Sequence, residues 1–261
     1  TLDRSSAASD VYKRQDQDRV ETVTYRKDAQ KAIIRYVSTN GNRVLTTDEV
    51  TGKSGEAIAY STTSQITEFK KQGYKLVSDE FTAGGAKVYD YDTARDQVYT
   101  VTLSERVEPV NPDNPTPQPN TPVNPGQPDT PNWPGTVENL DNKESVSRTI
   151  HYVYEDGSKA KDDVVETLNF KRWSNVNLVT GHIDFQDWTT NDDTFDKVVS
   201  PTIAGYTADK SEIPAVSGVK AKDQDRVETV TYRKDAQKAI IRYVSTNGNR
   251  VLTTDEVTGK S

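Results

Sequence analysis

The chain contains no cysteine, which excludes a disulfide scaffold, a thiolate metal site and a cysteine nucleophile, and leaves the redox compartment open. Only two histidines are present, His151 and His182, too little material for most metal-hydrolase or Ser-His-Asp arrangements. No apolar run approaches the roughly 18 residues of a membrane span, and the first residues lack the apolar stretch of a signal peptide. Positive charge is also short: 33 Lys and Arg stand against 40 Asp and Glu, a net charge of −7. Nucleic-acid phosphates demand clustered Lys and Arg, so that partner is excluded as well. Phenylalanine is scarce, 5 residues against 13 tyrosines, and hydrophobic residues make up 32% of 261. This is thin for one large core but suits small sheet domains, whose half-exposed faces take Thr and Tyr readily. The composition points away from an enzyme.

What the sequence does have is repetition, which is sought first because it organises everything else. The 39 residues from Asp16 to Ser54 recur unchanged from Asp223 to Ser261, an offset of 207. Identity at every position exceeds what a shared fold requires and implies recent tandem duplication, so the chain reads as one period of an array. Residues 1–15 break the pattern, since TLDRSSAASDVYKRQ stands where the register of ADKSEIPAVSGVKAK is due; they are read as an artefact or a disordered segment outside the repeat. Ten of the twelve prolines fall between Pro109 and Pro134. Proline lacks a donor and restricts its predecessor, so residues 107–143 are expected to stay out of any sheet and run as an extended spacer.

Between these landmarks lie two modules. In residues 29–106, Lys31 to Val37 is a β-rich run, Asn40-Gly41-Asn42 signals a hairpin, and Tyr74–Val77 and Gln97–Leu103 read as strands. Tyr60–Gly73 is the one convincing helix, with Thr62 and Gln65 as a capping box, Ile66 and Phe69 on one face and Gly73 at its end. In residues 144–235, Thr149–Tyr154 leads into an Asp156-Gly157 turn, Val164–Trp173 alternates, Val179-Thr180-Gly181 turns the chain, and Val227–Tyr232 closes the module. The fold class expected is α+β: two small β-grasp-like sheet modules joined by the Pro-rich linker. Residues 16–28 read as the closing strand of a truncated preceding module, and 236–261 as the truncated start of the next. Neither can bury its apolar face alone, so both are expected to be disordered or loosely docked.

The residues of the second module, Tyr152-Val153-Tyr154-Glu155-Asp156-Gly157, Val179-Thr180-Gly181, Trp188, Ser200 to Tyr206 and Val230-Thr231-Tyr232, resemble in order and spacing the Mub B2-like domain. Thr51 to Gly55, Gly73 to Asp79 and Tyr99 to Leu103 resemble the companion mucin-binding, MucBP-type domain. The resemblance covers most of the chain outside the linker and residues 1–15, and it implies a mucus-binding surface adhesin of lactobacilli and related Gram-positive bacteria. It further implies host mucin glycoproteins as partners and an extracellular, cell-wall location, with neither a sorting motif nor a membrane span in these residues. Weak sites repeated in tandem would then supply avidity, since an acidic chain gains no long-range attraction to acidic mucin sugars.

Aromatic residues are the candidates for glycan contact: Trp188 with Asp187, Trp173 and Tyr206 offer flat faces and neighbouring acceptors, against the plainer reading of core anchors. Trp188 stands in a polar stretch that favours the surface, whereas core packing is favoured for Trp173. Asp184, Asp192 and Asp193 are weak calcium candidates, as are Asp90, Asp92 and Asp96, because EF-hand spacing is missing and solvated turn carboxylates fit better. No other cofactor is indicated, and no catalytic residue is assigned. Gly52-Lys53-Ser54 lacks the upstream glycine of a phosphate loop. Rival readings are recognition of immunoglobulin or another host protein, and a stalk with no ligand of its own.

Overall fold

The computed structural model describes residues 21–260, so the reading of residues 1–15, and that of 16–20, lies outside the described residues. The chain is mostly β with one short helix. It divides into two compact units, one of residues 21–66 with 76–104 and one of 67–75 with 105–260. No described helix is long and apolar enough to cross a membrane.

In the first unit, strands β1 (Ala29–Ser38), β2 (Arg43–Lys53), β3 (Tyr74–Asp79) and β4 (Gln97–Glu105) form one sheet in the order β2-β1-β4-β3. β1 pairs antiparallel with β2 through a turn that holds Gly41 and Asn42 at positive φ, the left-handed backbone that Gly and Asn tolerate best. β1 then pairs in parallel with β4, Ile34 opposite Tyr99 and Tyr36 opposite Val101. Alternation decides the faces: Ala32, Ile34 and Tyr36 point inward and are fully buried with Val101 and Leu103. Tyr60 donates to Asp48, and Tyr36 hydrogen-bonds Tyr60 at 2.8 Å. Burial pushes the Tyr60 phenol well up from its ordinary value, so its proton stays on as a donor. Phe81 packs edge-on against Tyr60 and Tyr99 at 5.5 and 5.3 Å.

Helix α1 (Thr63–Lys71) is shorter than the expected Tyr60–Gly73, and its capping box does not form. The Thr62 hydroxyl donates instead to the Asp79 carboxylate at 2.6 Å, a charge-assisted bond that outcompetes a backbone cap. In the second unit, Gly73 lies past the helix end at φ 93°, and its carbonyl accepts from the Arg106 N–H at 2.8 Å. A Cβ on Gly73 would lie 2.9 Å from backbone atoms of Leu178. Gly73→Ala is therefore expected to lower stability by about 2 kcal/mol in urea unfolding. Gly157→Ala, at φ 81° but in open space, should cost about half that; equal costs would remove the role of the Leu178 backbone.

The second unit is centred on β6 (Lys143–Tyr154), β7 (Lys159–Lys171), β11 (Tyr206–Ala208) and β13 (Arg226–Lys234), in the order β11-β13-β6-β7. β6 is antiparallel to β7 and parallel to β13, the same arrangement as β1 with β2 and β4. Here the crossover before the parallel strand carries no helix. It runs through β8 (Ser174–Asn177), β9 (Ile183–Phe185), β10 (Val198–Val199) and β12 (Glu212–Ile213), and for that reason α+β gives way to mostly β. The inward face of the sheet supports two clusters, one around Val146, Leu168, Phe170, Phe195 and Val219, the other around Ile150, Tyr152, Ile213, Val230 and Tyr232.

The Pro-rich segment departs from expectation. β5 (Val107–Val110) pairs with β8 in a sheet of order β5-β8-β9, with Pro109 opposite Asn175. A proline is tolerated there because β5 is an edge strand, whose outward side needs no donor. Farther on the segment folds back on itself: across the Pro122–Asn132 bridge the Asn120 N–H donates to the Trp133 carbonyl and the Trp133 N–H to the Thr121 carbonyl, each at 2.9 Å, and the Val123 N–H donates to the Pro131 carbonyl at 2.9 Å. Trp133 and Val123 pack on a core of Val110, Val137, Val176 and Leu178. These residues therefore form a folded layer rather than an extended spacer. Proline removes donors, but the donors of Asn120, Val123 and Trp133, placed between prolines, suffice to close the loop.

Residues 236–260 pair as a hairpin of β14 (Ala236–Val244) and β15 (Val251–Lys260), both strands of which are exposed along their whole length. Residues 21–28 have no regular structure and are exposed.

Candidate functional site

Trp188 is placed by the end of β7. Lys171 and Thr189 exchange backbone bonds of 2.9 and 2.8 Å, and the Thr190 hydroxyl donates to the Asn169 carbonyl at 2.8 Å. Pinned in this way, the half-buried indole packs against the cluster of Val146, Leu168 and Phe170. The Arg172 guanidinium lies between two rings, 4.0 Å from Phe185 and 4.3 Å from Trp188, close enough for strong cation–π attraction. Arg172 also donates to the Asp141 carboxylate at 2.9 Å. Lys222 stands 5.4 Å from the Trp188 ring and pairs with Glu144 and with Asp141 at 3.1 Å. The Glu144 and Asp141 hydrogen bonds raise the Lys222 ammonium above its ordinary value, so it stays charged at any physiological pH.

These residues border a cleft of 470 Å³. Its floor is apolar, from Phe170, Trp188, Val219 and Ala221, and its rim is polar, from Asp187, Thr190, Asp193, Lys220 and Lys222. An apolar floor ringed by acceptors, a hydroxyl and ammonium groups suits a ligand with C–H faces and hydroxyl edges. A second cleft, of 480 Å³, lies in the first unit and has no aromatic wall; Lys31, Lys53, Glu56, Asp92, Arg95 and Asp96 line it. Lys31 is held there by Asp96 at 3.0 Å and Glu49 at 3.6 Å.

Of the sequence candidates, the structure brings Trp188 and Asp187 together and adds Asp193 to them. Trp173 does not join them and, against the core role favoured for it, is 43% exposed. Tyr206 packs on the other core cluster, its ring 4.7 Å from Tyr154. Asp192 and Asp193 serve their own turn, accepting from the Thr194 N–H at 2.9 Å and its hydroxyl at 3.0 Å, while Asp184 is set in β9 opposite Asn175. Asp90 and Asp92 likewise accept from the backbone of Asp92 and Ala94. Among the described residues no three His, Asp or Glu side chains gather as metal ligands would. Sequence reasoning missed Val219, Lys220, Ala221 and Lys222; small residues alternating with Lys in a turn-rich stretch carried no signal.

The comparisons agree with this architecture. The family described as Mucin binding domain matches residues 30–105, and the family described as Muc B2-like domain matches residues 137–236. The crystal structure of Mub-RV is 26% identical, covering 79% of this chain and 99% of that one with a TM-score of 0.62. The type 2 repeat of the mucus binding protein MUB from Lactobacillus reuteri is 28% identical, covering 79% of this chain and 100% of that one with a TM-score of 0.52. The MucBP domain of the adhesion protein from Pediococcus pentosaceus is 36% identical, covering 35% of this chain and 98% of that one with a TM-score of 0.31. No curated protein matches.

Proposed function

Because this chain belongs to the Mub-type family of mucus-binding repeats, joining a mucin binding domain to a Muc B2-like domain, we propose that it is a segment of a bacterial cell-surface adhesin that holds host mucin glycans through weak sites repeated along the chain. The observation that carries this reading is the cleft beside Trp188 in the Muc B2-like domain, with its aromatic floor and its rim of carboxylates, hydroxyl and lysines. Sugar C–H faces stack on such a floor while Asp187, Asp193 and Thr190 take up hydroxyls. A single site of this size is weak, and tandem copies raise avidity by roughly 10²–10⁴ without new contacts. In both domains a strand hairpin is joined in parallel by a later strand, which supports the β-grasp-like reading of each. The domains act in this reading as binding modules.

The chain, displayed in many copies on a sensor surface, is expected to capture purified mucin, and periodate oxidation of the mucin sugars is expected to abolish capture. Asp187→Ala and Trp188→Ala should each weaken it roughly tenfold. Because Trp188 also stacks on Arg172, the Asp187 variant, which removes no core contact, separates a ligand role from a folding defect. Capture that survives periodate would transfer the case to protein recognition, and no capture at all would leave a stalk.

A further inference from the structure

The floor of the Trp188 cleft has two chemically different parts. One is the half-buried indole, and the other is aliphatic, Val219 and Ala221, each 4% exposed. Floor and rim are locked together, because the Val219 N–H donates to the Asp193 carbonyl at 3.0 Å and Phe195 and Val216 exchange backbone bonds of 3.0 and 2.9 Å. The cleft is therefore preformed, and its chemistry selects the ligand rather than adapting to it. A plain hexose satisfies the indole, on which a C–H face stacks, but the rest of its surface is hydroxyl. A hydroxyl pressed onto Val219 and Ala221 loses water and gains no partner, which opposes binding. The rim asks for both a donor and an acceptor. Asp187 and Asp193 can only accept. The Lys220 ammonium can only donate and has no ion-pair partner among the described residues, whereas Lys222 is already held by Glu144 and Asp141.

We propose, resting on the glycan reading of this cleft, that the sugar it selects is an N-acetylated hexosamine. An acetamido group carries a methyl, an N–H donor and a carbonyl acceptor in one planar unit, and the cleft offers a counterpart to each. The sugar ring stacks on Trp188 and the methyl seats on Val219 and Ala221. The N–H donates to the Asp193 carboxylate, which stands beside Val219, and the carbonyl accepts from Lys220. Asp187 is left for the ring hydroxyls. A sugar carboxylate fits worse, since it would meet Asp187 and Asp193 with one uncommitted cation between them.

The test titrates the full chain with the methyl glycosides of N-acetylgalactosamine, N-acetylglucosamine and galactose. The readout is the Trp188 indole N–H resonance, identified by its loss in Trp188→Phe, and mucin capture by the same protein is measured in parallel. Both N-acetyl sugars are expected to shift this resonance and to bind about tenfold more tightly than galactose, the worth of one methyl group in an apolar pocket. Val219→Thr, which sets a hydroxyl against that methyl, and Lys220→Ala, which removes the donor to the carbonyl, should each narrow the preference by about fivefold. Lys220 is exposed and outside the floor, so its variant covers the case in which Val219→Thr fails to fold. Mucin capture with equal affinity for all three sugars, or with no shift at Trp188, would overturn the inference and leave the adhesin reading standing. Shifts by the N-acetyl sugars without mucin capture would uphold the inference and remove the reading of tandem avidity. Neither shift nor capture would overturn both.

Discussion

Glu166→Ala is expected to destabilise the Muc B2-like domain by about 3 kcal/mol, the largest single-residue effect outside its apolar core. The reason is Arg148. It occupies an inward position of β6 between Val146 and Ile150 and is 1% exposed. Its guanidinium donates to Glu166 at 2.7 Å, to the Pro214 carbonyl at 3.0 Å and to the Asp196 carbonyl, and lies 5.1 Å from the Phe195 ring. Carbonyls and ring satisfy its donors, but only Glu166 supplies a formal opposite charge. Removing that carboxylate leaves a buried cation uncompensated, which costs about 3–5 kcal/mol. Glu166 keeps 25% side-chain exposure, so water enters the space it leaves and the lower end of that range applies. Arg148→Met should be milder, because a well-packed apolar side chain needs no partner. In the Arg148→Met background Glu166→Ala should then cost under about 1 kcal/mol. Urea unfolding followed by tryptophan fluorescence reads all four corners of the cycle; additive losses would show that the two side chains act independently.

Arg148 also shows what the sequence could and could not display. Val146, Ile150 and Tyr152 alternate inward along β6, and period two puts Arg148 in the same row. The position was therefore legible, but the tolerance of a charge there was not, since it depends on Glu166 from β7 and on carbonyls 48 and 66 residues away. The cleft divides in the same way. Trp188 and Asp187 are adjacent in sequence and stood out by composition, whereas Val219 to Lys222 reach them only through tertiary packing.

The duplicated segment makes the limit of local information explicit. Val230 and Tyr232 are buried in β13, while their twins Val23 and Tyr25 are 72% and 91% exposed. With the hairpin the order is reversed, the first copy being buried and the second exposed. Pairing and register within β1-β2 and β14-β15 do follow from sequence, because alternation and the Asn-Gly-Asn turn are local. Burial does not, because it is a property of what the strand meets. The Pro-rich stretch departs from expectation for a related reason: proline content removes donors one by one, but an edge strand and a looped hairpin need few of them.

The same twins allow a prediction with its control in one molecule. Gly52→Ala is expected to destabilise the mucin binding domain by about 2–3 kcal/mol, while Gly259→Ala should fall within about 0.5 kcal/mol of the parent. A Cβ on Gly52 would lie 2.2, 2.7 and 2.9 Å from three atoms of the Tyr89 ring, distances that no relaxed contact reaches. Tyr89 has little freedom to retreat, being 3% exposed, with its backbone N–H donating to the Glu56 carbonyl at 2.9 Å and its backbone carbonyl accepting from the Gly55 N–H at 2.8 Å. Strain in a packed site of this kind costs on the order of 1–3 kcal/mol, and the upper part applies because backbone anchors both sides. At Gly259 the added methyl meets open space and replaces a glycine inside a strand, a slight gain in stability because the unfolded chain has less conformational freedom to lose. Backbone amide chemical shifts of Tyr89 and its neighbours, together with calorimetric unfolding of both variants, would read the difference. Equal stability of the two variants would mean that Tyr89 does not seat on Gly52.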